Sequence, residues 1–287
     1  MKREAHDRSL RLKALTVAVT LALTGAAQAA VTIPESCPEG ANGNCVRMTK
    51  EGELTKLHLS GQGWGPANVD KSVGILNKKE GDDHDLTVIA DFETDTNVDV
   101  MLGGQAFTKV QGTRTDPTYN AMINGNKLYI NLREGVTTTV SYKKESMLYS
   151  FGGEVAGGSA SGGAISNNLV AVKGTLKDDK TPGNTGVLAT GLIVGGTYNI
   201  ASNTNRVDSV MSGNMVEIEN AHIKKAQDAR GTGIFGGYIY LTASNRNRTN
   251  PTDATGNRIE IRNSIIDTSS VGGLYIGNVP NPGDKVR

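Results

Sequence analysis

A short pattern of alternating polar and apolar residues recurs four times between residues 126 and 261. Each copy reads Asn, any residue, aliphatic, any residue, aliphatic. The copies occupy residues 126–130, 168–172, 214–218 and 257–261, at intervals of 42, 46 and 43 residues. Alternation with a period of two is typical of a β-strand with one buried face. The aliphatic pairs predicted to stack in one core are Leu128/Ile130, Val170/Val172, Val216/Ile218 and Ile259/Ile261.

Two further features extend this repeat. A weaker copy at 84–88 places Leu86 and Val88 at the two aliphatic positions. An apolar residue followed by Gly-Gly also comes after each strand. The five cases are Leu102-Gly103-Gly104, Phe151-Gly152-Gly153, Val194-Gly195-Gly196, Phe235-Gly236-Gly237 and Val271-Gly272-Gly273.

The repeat predicts an all-β solenoid, because one copy has too few apolar residues for a core of its own and must pack against the next. We expect an elongated right-handed parallel β-helix with two coils per repeat and Gly-Gly at tight corners. A β-propeller with one blade per repeat is the alternative. Composition favours a thin core, since 36 of the 287 residues are Gly and only 5% are aromatic.

Three segments follow from these patterns. Residues 1–29 are predicted to be a secretory signal peptide: basic residues precede an apolar run at 14–23, and small residues at Ala27, Ala29 and Ala30 suit signal peptidase. The predicted cut follows Ala29, give or take one residue. Residues 30–83 are read as an N-terminal cap, and residues 84–287 as the solenoid repeats.

Cys37 and Cys45 are the only cysteines, and seven turn-forming residues separate them. In an oxidising compartment this spacing predicts a small disulfide loop. The competing interpretation is half of a metal site. It lacks a further Cys or a nearby His.

Charge and motifs exclude several function classes. Without residues 1–29 the chain has 25 Lys and Arg against 27 Asp and Glu, so no basic footprint for nucleic acid is expected. No Walker loop, dinucleotide fingerprint or zinc-protease motif is present. The acidic runs at 82–85 and 91–99 could offer oxygen ligands to a cation, but the second has Thr96 and Leu102 where a Ca²⁺ loop needs Gly and Glu. Both are interpreted as solvated strand faces or turns, and the Gly-rich stretch at 157–163 as a flexible linker. We assign no catalytic residue, metal ligand or cofactor.

Four features of the chain carry a family resemblance: the signal at residues 1–29, the Asn-x-aliphatic-x-aliphatic strands, the Gly-Gly pairs and the Asn/Thr/Gly-rich surface. With these features the chain resembles the N-terminal part of an autotransporter passenger, a type V secreted protein of Gram-negative bacteria. The resemblance implies export by the Sec machinery, an outer-membrane β-barrel translocator as partner, and a location at the cell surface, in the outer membrane or outside the cell. No β-barrel pattern is present, so we expect a truncated piece of a longer protein, or a translocator on a separate polypeptide.

The expected function is a non-catalytic surface scaffold or adhesin-like module that binds a ligand on a host or neighbouring cell. The alternative is a secreted β-helical lyase or glycosidase that acts on polysaccharide. Such an enzyme needs acidic residues gathered across neighbouring coils. In the four matched copies only Glu217 and Glu260 would align.

Overall fold

The computed structural model describes residues 29–41, 44–54, 57–61, 64–69, 72–74, 83–106, 110–113, 116–119, 122–141, 153–160, 164–177, 185–200, 210–227, 233–241 and 253–277. The predicted signal peptide lies outside these residues, apart from Ala29. In the part of the chain so described, no helix is long and apolar enough to cross a membrane. The one helical segment among the described residues is a single 3-10 turn at Glu51–Glu53.

The described chain is built from 27 β-strands. The first four are β1 (Cys45–Met48), β2 (Leu57–Gly61), β3 (Trp64–Val69) and β4 (Ser72–Val73). The next seven are β5 (Asp83–His84), β6 (Thr87–Ala90), β7 (Thr96–Val98), β8 (Val100–Leu102), β9 (Gln105–Ala106), β10 (Val110–Thr113) and β11 (Asp116–Tyr119).

Four sets of four strands follow in the same order. They are β12 (Met122–Asn124), β13 (Lys127–Asn131), β14 (Thr137–Val140) and β15 (Glu154–Ala160); β16 (Ala164–Ser166), β17 (Leu169–Lys173), β18 (Val187–Thr190) and β19 (Leu192–Ile200); β20 (Val210–Ser212), β21 (Met215–Glu219), β22 (His222–Lys225) and β23 (Gly233–Leu241); and β24 (Asp253–Thr255), β25 (Arg258–Arg262), β26 (Ile265–Ile266) and β27 (Val271–Gly277).

Corresponding strands of successive sets pair in parallel and form four sheets. The first sheet contains β5, β12, β16, β20 and β24, and the second contains β1, β6, β13, β17, β21 and β25. The third contains β7, β14, β18, β22 and β26. The fourth contains β4, β8, β15, β19, β23 and β27, and β9 also pairs with β15. This arrangement is a parallel β-helix, which confirms the predicted fold class, and it is not the antiparallel blade of the propeller alternative.

Each repeat forms one coil. Leu128 pairs with Val170, Val170 with Val216, and Val216 with Ile259, so one step along the sheet equals one sequence repeat. The expectation of two coils per repeat is wrong because one period holds four short strands and their connections. The weaker copy is also displaced by two residues: Val88, and not Leu86, pairs with Leu128.

The aliphatic pairs face a common interior, as predicted. Leu128, Ile130, Val170, Val172, Val216 and Ile218 are at most 1% exposed and belong to one apolar cluster. Ile259 and Ile261 are partly buried and pack against that cluster from β25.

A two-residue corner joins the first sheet to the second sheet in every coil. Its first residue has a positive φ each time, at Asp85 (54°), Gly125 (73°), Asn167 (55°), Gly213 (65°) and Gly256 (66°). Its second residue is Leu86 in the first case and Asn126, Asn168, Asn214 and Asn257 in the others. Gly and Asn tolerate left-handed backbone better than other residues, which explains their use at this corner.

The corner asparagines form a ladder through the interior. Nδ2 of Asn168 donates to Oδ1 of Asn214 at 2.9 Å, and Nδ2 of Asn214 donates to Oδ1 of Asn257 at 2.9 Å. The backbone N–H of Asn126 likewise donates to Oδ1 of Asn168 at 3.1 Å. The ladder gives the buried backbone donors of this corner acceptors from the neighbouring coil.

Three of the five Gly-Gly pairs, at 195–196, 236–237 and 272–273, lie inside strands, so the expectation of corners is wrong for them. The pair at 103–104 lies between β8 and β9, and Gly152 lies outside the described residues. Gly158, Gly196 and Gly237 are partners in register, so the matching pair in β15 is 157–158 and not 152–153. A Cβ on Gly195 would lie 2.5 Å from the backbone nitrogen of Met215. Glycine is therefore needed where the fourth sheet approaches the backbone of the second sheet. The flexible-linker interpretation is wrong for residues 157–160, which are buried strand.

Part of the predicted cap belongs to the β-helix. β1 pairs in parallel with β6, and β4 pairs in parallel with β8, so both extend the second and fourth sheets by a first, incomplete coil. Between them, β2 and β3 form an antiparallel pair.

Candidate functional site

Charged side chains collect on the outer face of the second sheet. Because Leu128 and Ile130 and their counterparts point inward, the residues between them point outward. The register brings these outward residues into two rows along the sheet. One row contains Arg47, Ile89, Tyr129, Ala171, Glu217 and Glu260, and the other contains Asn131, Lys173, Glu219 and Arg262, with Asp91 following β6.

The chain segment 31–35, here called the N-terminal strap, lies against this face. The backbone N–H of Val31 donates to Oε2 of Glu219 at 2.7 Å, and Val31 is only 1% exposed. Thr32, Ile33, Pro34 and Glu35 line a cleft of about 230 Å³ together with Arg47, Asp91, Asn131 and Lys173. The strap therefore contacts strands from several coils of the same sheet.

The disulfide between Cys37 and Cys45 connects the chain after the strap to β1, with a Cα–Cα distance of 5.6 Å. This confirms the pairing predicted from the sequence. Cys45 is the first residue of β1, so the strap is covalently fixed at one end of the second sheet. A loop this short restricts the unfolded chain little, and its contribution falls toward the low end of about 2–4 kcal/mol.

Asp91 is a buried carboxylate at the centre of a partly exposed ion-pair network at the cleft. Its side chain is 4% exposed and accepts hydrogen bonds from Nε of Arg133 at 2.7 Å and Nη2 of Arg133 at 3.0 Å. Nδ2 of Asn131 donates at 2.9 Å, and Arg47 donates to the second carboxylate oxygen. The hydrogen bonds from Arg133 hold the pKa of Asp91 below its usual value, although burial acts in the opposite direction. This network lies on the face against which the strap packs.

A carboxylate cluster occupies the other end of the face and consists of Glu217, Glu219 and Glu260. Arg262 joins two of these side chains, with Nε 3.5 Å from Oε1 of Glu219 and Nη1 3.3 Å from Oε2 of Glu260. Burial, followed by the nearby charge of Glu260, raises the pKa of Glu217. Burial also raises the pKa of the Tyr129 hydroxyl, with a smaller contribution from Glu217. The predicted alignment of Glu217 with Glu260 is confirmed, since they are direct partners in register.

Some residues of the acidic runs are buried and others are exposed. Asp91 and Asp99 are 3% and 2% exposed, so the interpretation of a solvated face is wrong for both, while Glu93 and Asp95 are exposed as expected. Asp82 and the side chains of Asp83 and His84 lie outside what the structure describes. No group of three or more His, Cys, Asp or Glu residues with the geometry of a metal site occurs in the described ranges.

Ala29 and Ala30 are exposed and have no regular secondary structure, and Ala27 lies outside the described residues. The cleavage site therefore remains a prediction. The strap, the Asp91 network and the Asn ladder were not recognised in the sequence. One signal could have found the Asp91 network: Arg47 and Arg133 lie 44 and 42 residues from Asp91, which is one coil in each direction.

Comparisons with protein-family models, curated proteins and solved structures found no match to this chain.

Proposed function

We propose that this chain is an exported, non-catalytic scaffold, a passenger segment of the autotransporter type that presents binding loops at the cell surface. Its partners would be the Sec machinery, an outer-membrane β-barrel translocator and a ligand on a host or neighbouring cell. The sequence of residues 1–29 supports export, and the geometry of the coil supports a role in binding.

The observation that carries the binding role is a contrast between two corners. The corner from the first sheet to the second sheet has two residues in every coil. The connections from the fourth sheet to the first sheet of the next coil differ in length. They span residues 74–82, 107–121, 161–163, 201–209 and 242–252, which is from three to fifteen residues. The other two corners also vary, from two to thirteen residues between the second and third sheets and from one to thirteen between the third and fourth sheets. One constant corner combined with variable ones is what a scaffold for diverse surface loops requires.

Export is tested by cell fractionation combined with protease treatment of intact cells. We expect the protein in the periplasm, outer membrane or medium, with the signal removed. Retention of the whole protein in the cytoplasm would contradict the proposal.

Loop-mediated binding is tested by replacing residues 242–252 with a Gly-Ser-Gly connector, which matches the length at 161–163. We expect circular dichroism to retain the β signal while adhesion of displaying cells to host or neighbouring cells falls. The control keeps the length of 242–252 and changes its sequence order, which separates loop chemistry from loop length. Adhesion that is the same for all three forms would argue against this connection as a binding surface.

A second candidate is a polysaccharide-active enzyme, favoured by one observation. Glu217 and Glu260 lie side by side on the outer face of neighbouring coils, and the pKa of Glu217 is raised, as a proton donor in glycoside hydrolysis requires. Purified protein would be tested on pectin, alginate and hyaluronan. Depolymerisation that is lost in Glu217→Gln or Glu260→Gln, and retained in the exposed-residue control Glu134→Gln, would place this function first.

A further inference from the structure

The carboxylate cluster at Glu217, Glu219 and Glu260 is only partly neutralised by neighbouring cations. Within the described residues, ion pairs connect Arg262 to Glu219 and to Glu260, and connect Nε of Arg258 to Oε1 of Glu260 at 4.0 Å. Lys173 is the register neighbour of Glu219 and lines the cleft beside the strap. The side chains of Glu219 and Glu260 are 15% and 17% exposed, so water screens them incompletely.

The strap brings a backbone nitrogen directly to this cluster. The N–H of Val31 is 2.7 Å from Oε2 of Glu219, and the Val31 side chain is buried. The predicted cut follows Ala29, give or take one residue. A cut after Ala29 makes the nitrogen of Ala30 the new amino terminus, and the Cα of Ala30 is about 3.8 Å from the Cα of Val31. A cut one residue later or earlier makes it the nitrogen of Val31 or of Ala29.

We propose that Glu219, with its neighbours Glu217 and Glu260, is a binding site for the chain's own mature N-terminal ammonium group. Signal cleavage would thereby fasten the strap across the outer face of the second sheet. This inference rests on the proposed function, because only an exported chain meets signal peptidase.

The chemical change is simple. Hydrolysis of the Ala29–Ala30 peptide bond adds the hydroxyl of water to the carbonyl carbon of Ala29 and the remaining hydrogen to the nitrogen of Ala30. The free amine then takes up a proton from solvent. A neutral amide with one N–H becomes a cation with three donors, and hydrogen bonds from charged donors to carboxylates are stronger than those from neutral amides.

The test uses the exported full-length mature protein. Intact mass and N-terminal sequencing first locate the cut. The amines are then dimethylated with ¹³C-formaldehyde and a cyanoborohydride reductant, which leaves each amine able to carry a charge. The terminal amine is distinguished from the lysines by its own NMR resonance and is titrated. Wild type is compared with Glu219→Gln and with the exposed-residue control Glu134→Gln.

In wild type we expect the pKa of the terminal amine to lie about one unit above the ordinary value of about 7.7–8.0. The shift should vanish in Glu219→Gln and persist in Glu134→Gln. A second form adds Gly-Ser-Gly-Ser before the mature terminus and changes no side chain of the cluster. Its amine should titrate at the ordinary pKa, so the test does not depend on Glu219→Gln folding.

The outcomes separate the two proposals. A cleaved protein whose amine has an ordinary pKa, or the same raised pKa in Glu219→Gln or in the extended form, overturns the binding site and leaves export intact. A cut beyond Val31 also overturns the site alone. An exported protein that keeps its signal overturns the site and the predicted cleavage together.

Discussion

Glu154 is a buried carboxyl group in β15, and its titration should make the fold less stable as the pH rises. The residue is 2% exposed, and within the described part of the chain its Oε1 atom has no hydrogen-bond partner. Burial raises its pKa from the ordinary value of 4.5 to about 8, although a hydrogen bond with Thr197 acts in the opposite direction. The folded protein therefore keeps this proton over a pH range in which the unfolded chain has lost it.

The sign and size of this pH effect follow from the difference in the Glu154 pKa between the folded and unfolded states. A raised pKa in the folded state means that the stabilisation is complete below the unfolded pKa and is lost as the pH rises through the folded pKa. Between those limits the loss is about 1.4 kcal/mol per pH unit, so stability should fall by roughly 3–4 kcal/mol between pH 5 and pH 8 because of Glu154 alone. Glu154→Gln removes the ionisation and keeps the size of the side chain.

The assay is urea unfolding of wild type, Glu154→Gln and the exposed-residue control Glu134→Gln at pH 5 and at pH 8. We expect Glu154→Gln to be close to wild type at pH 5 and more stable than wild type at pH 8, while Glu134→Gln follows wild type at both. Other titrating groups cancel in the difference between variant and wild type. The reasoning is refuted if that difference is the same at the two pH values.

Three further predictions concern the coil itself. Asn214→Ala removes hydrogen bonds to Asn257 and Ile165 at 2.9 and 3.0 Å and should lower the free energy of unfolding by about 2–4 kcal/mol, measured by urea titration. Gly195→Ala places a Cβ against backbone atoms and should lower the free energy of unfolding by about 2 kcal/mol or more in the same assay. An unchanged free energy of unfolding would argue against the close approach of the fourth sheet to the second sheet. Ile218→Asp should bury an unpaired carboxylate and destabilise the folded state so far that no cooperative unfolding transition remains. Glu217→Ala should lower the free energy of unfolding by less than about 0.5 kcal/mol. Equal effects would mean that the alternation does not mark a buried face.

The strands that carry the repeat could be predicted because their signal is local. Alternating residues such as Val216 and Ile218 select one face of a strand, whatever surrounds it. The number of coils could not be read in the same way, because a period gives the distance between copies and not the path between them. The corner asparagines were visible as a pattern, and the left-handed residue before each of them offered a clue: it is Gly or Asn in all four copies.

The candidate site depends on contacts between distant residues, and this limited its prediction. Asp91 is one coil away from each of its arginines, so the ion pairs become apparent only when the coil length is known. The strap posed a different difficulty. The hydrogen bond from Val31 to Glu219 joins residues 188 positions apart. Only the alignment of Glu217 with Glu260 followed from the repeat itself.

The thin, repeated core also explains why one corner keeps its length while the corner between the fourth and first sheets can vary. At the constant corner, an added residue would move the asparagine out of the ladder and leave buried backbone donors without acceptors. At the variable corner, the cost of a longer connection is mainly the entropy of closing a loop, which grows with the logarithm of its length. Extending a connection from three to fifteen residues then costs about 1.4 kcal/mol, less than the loss of one ladder asparagine. Sequence change can therefore accumulate in the surface connections without unfolding the coil, which is the property that a scaffold for binding loops needs.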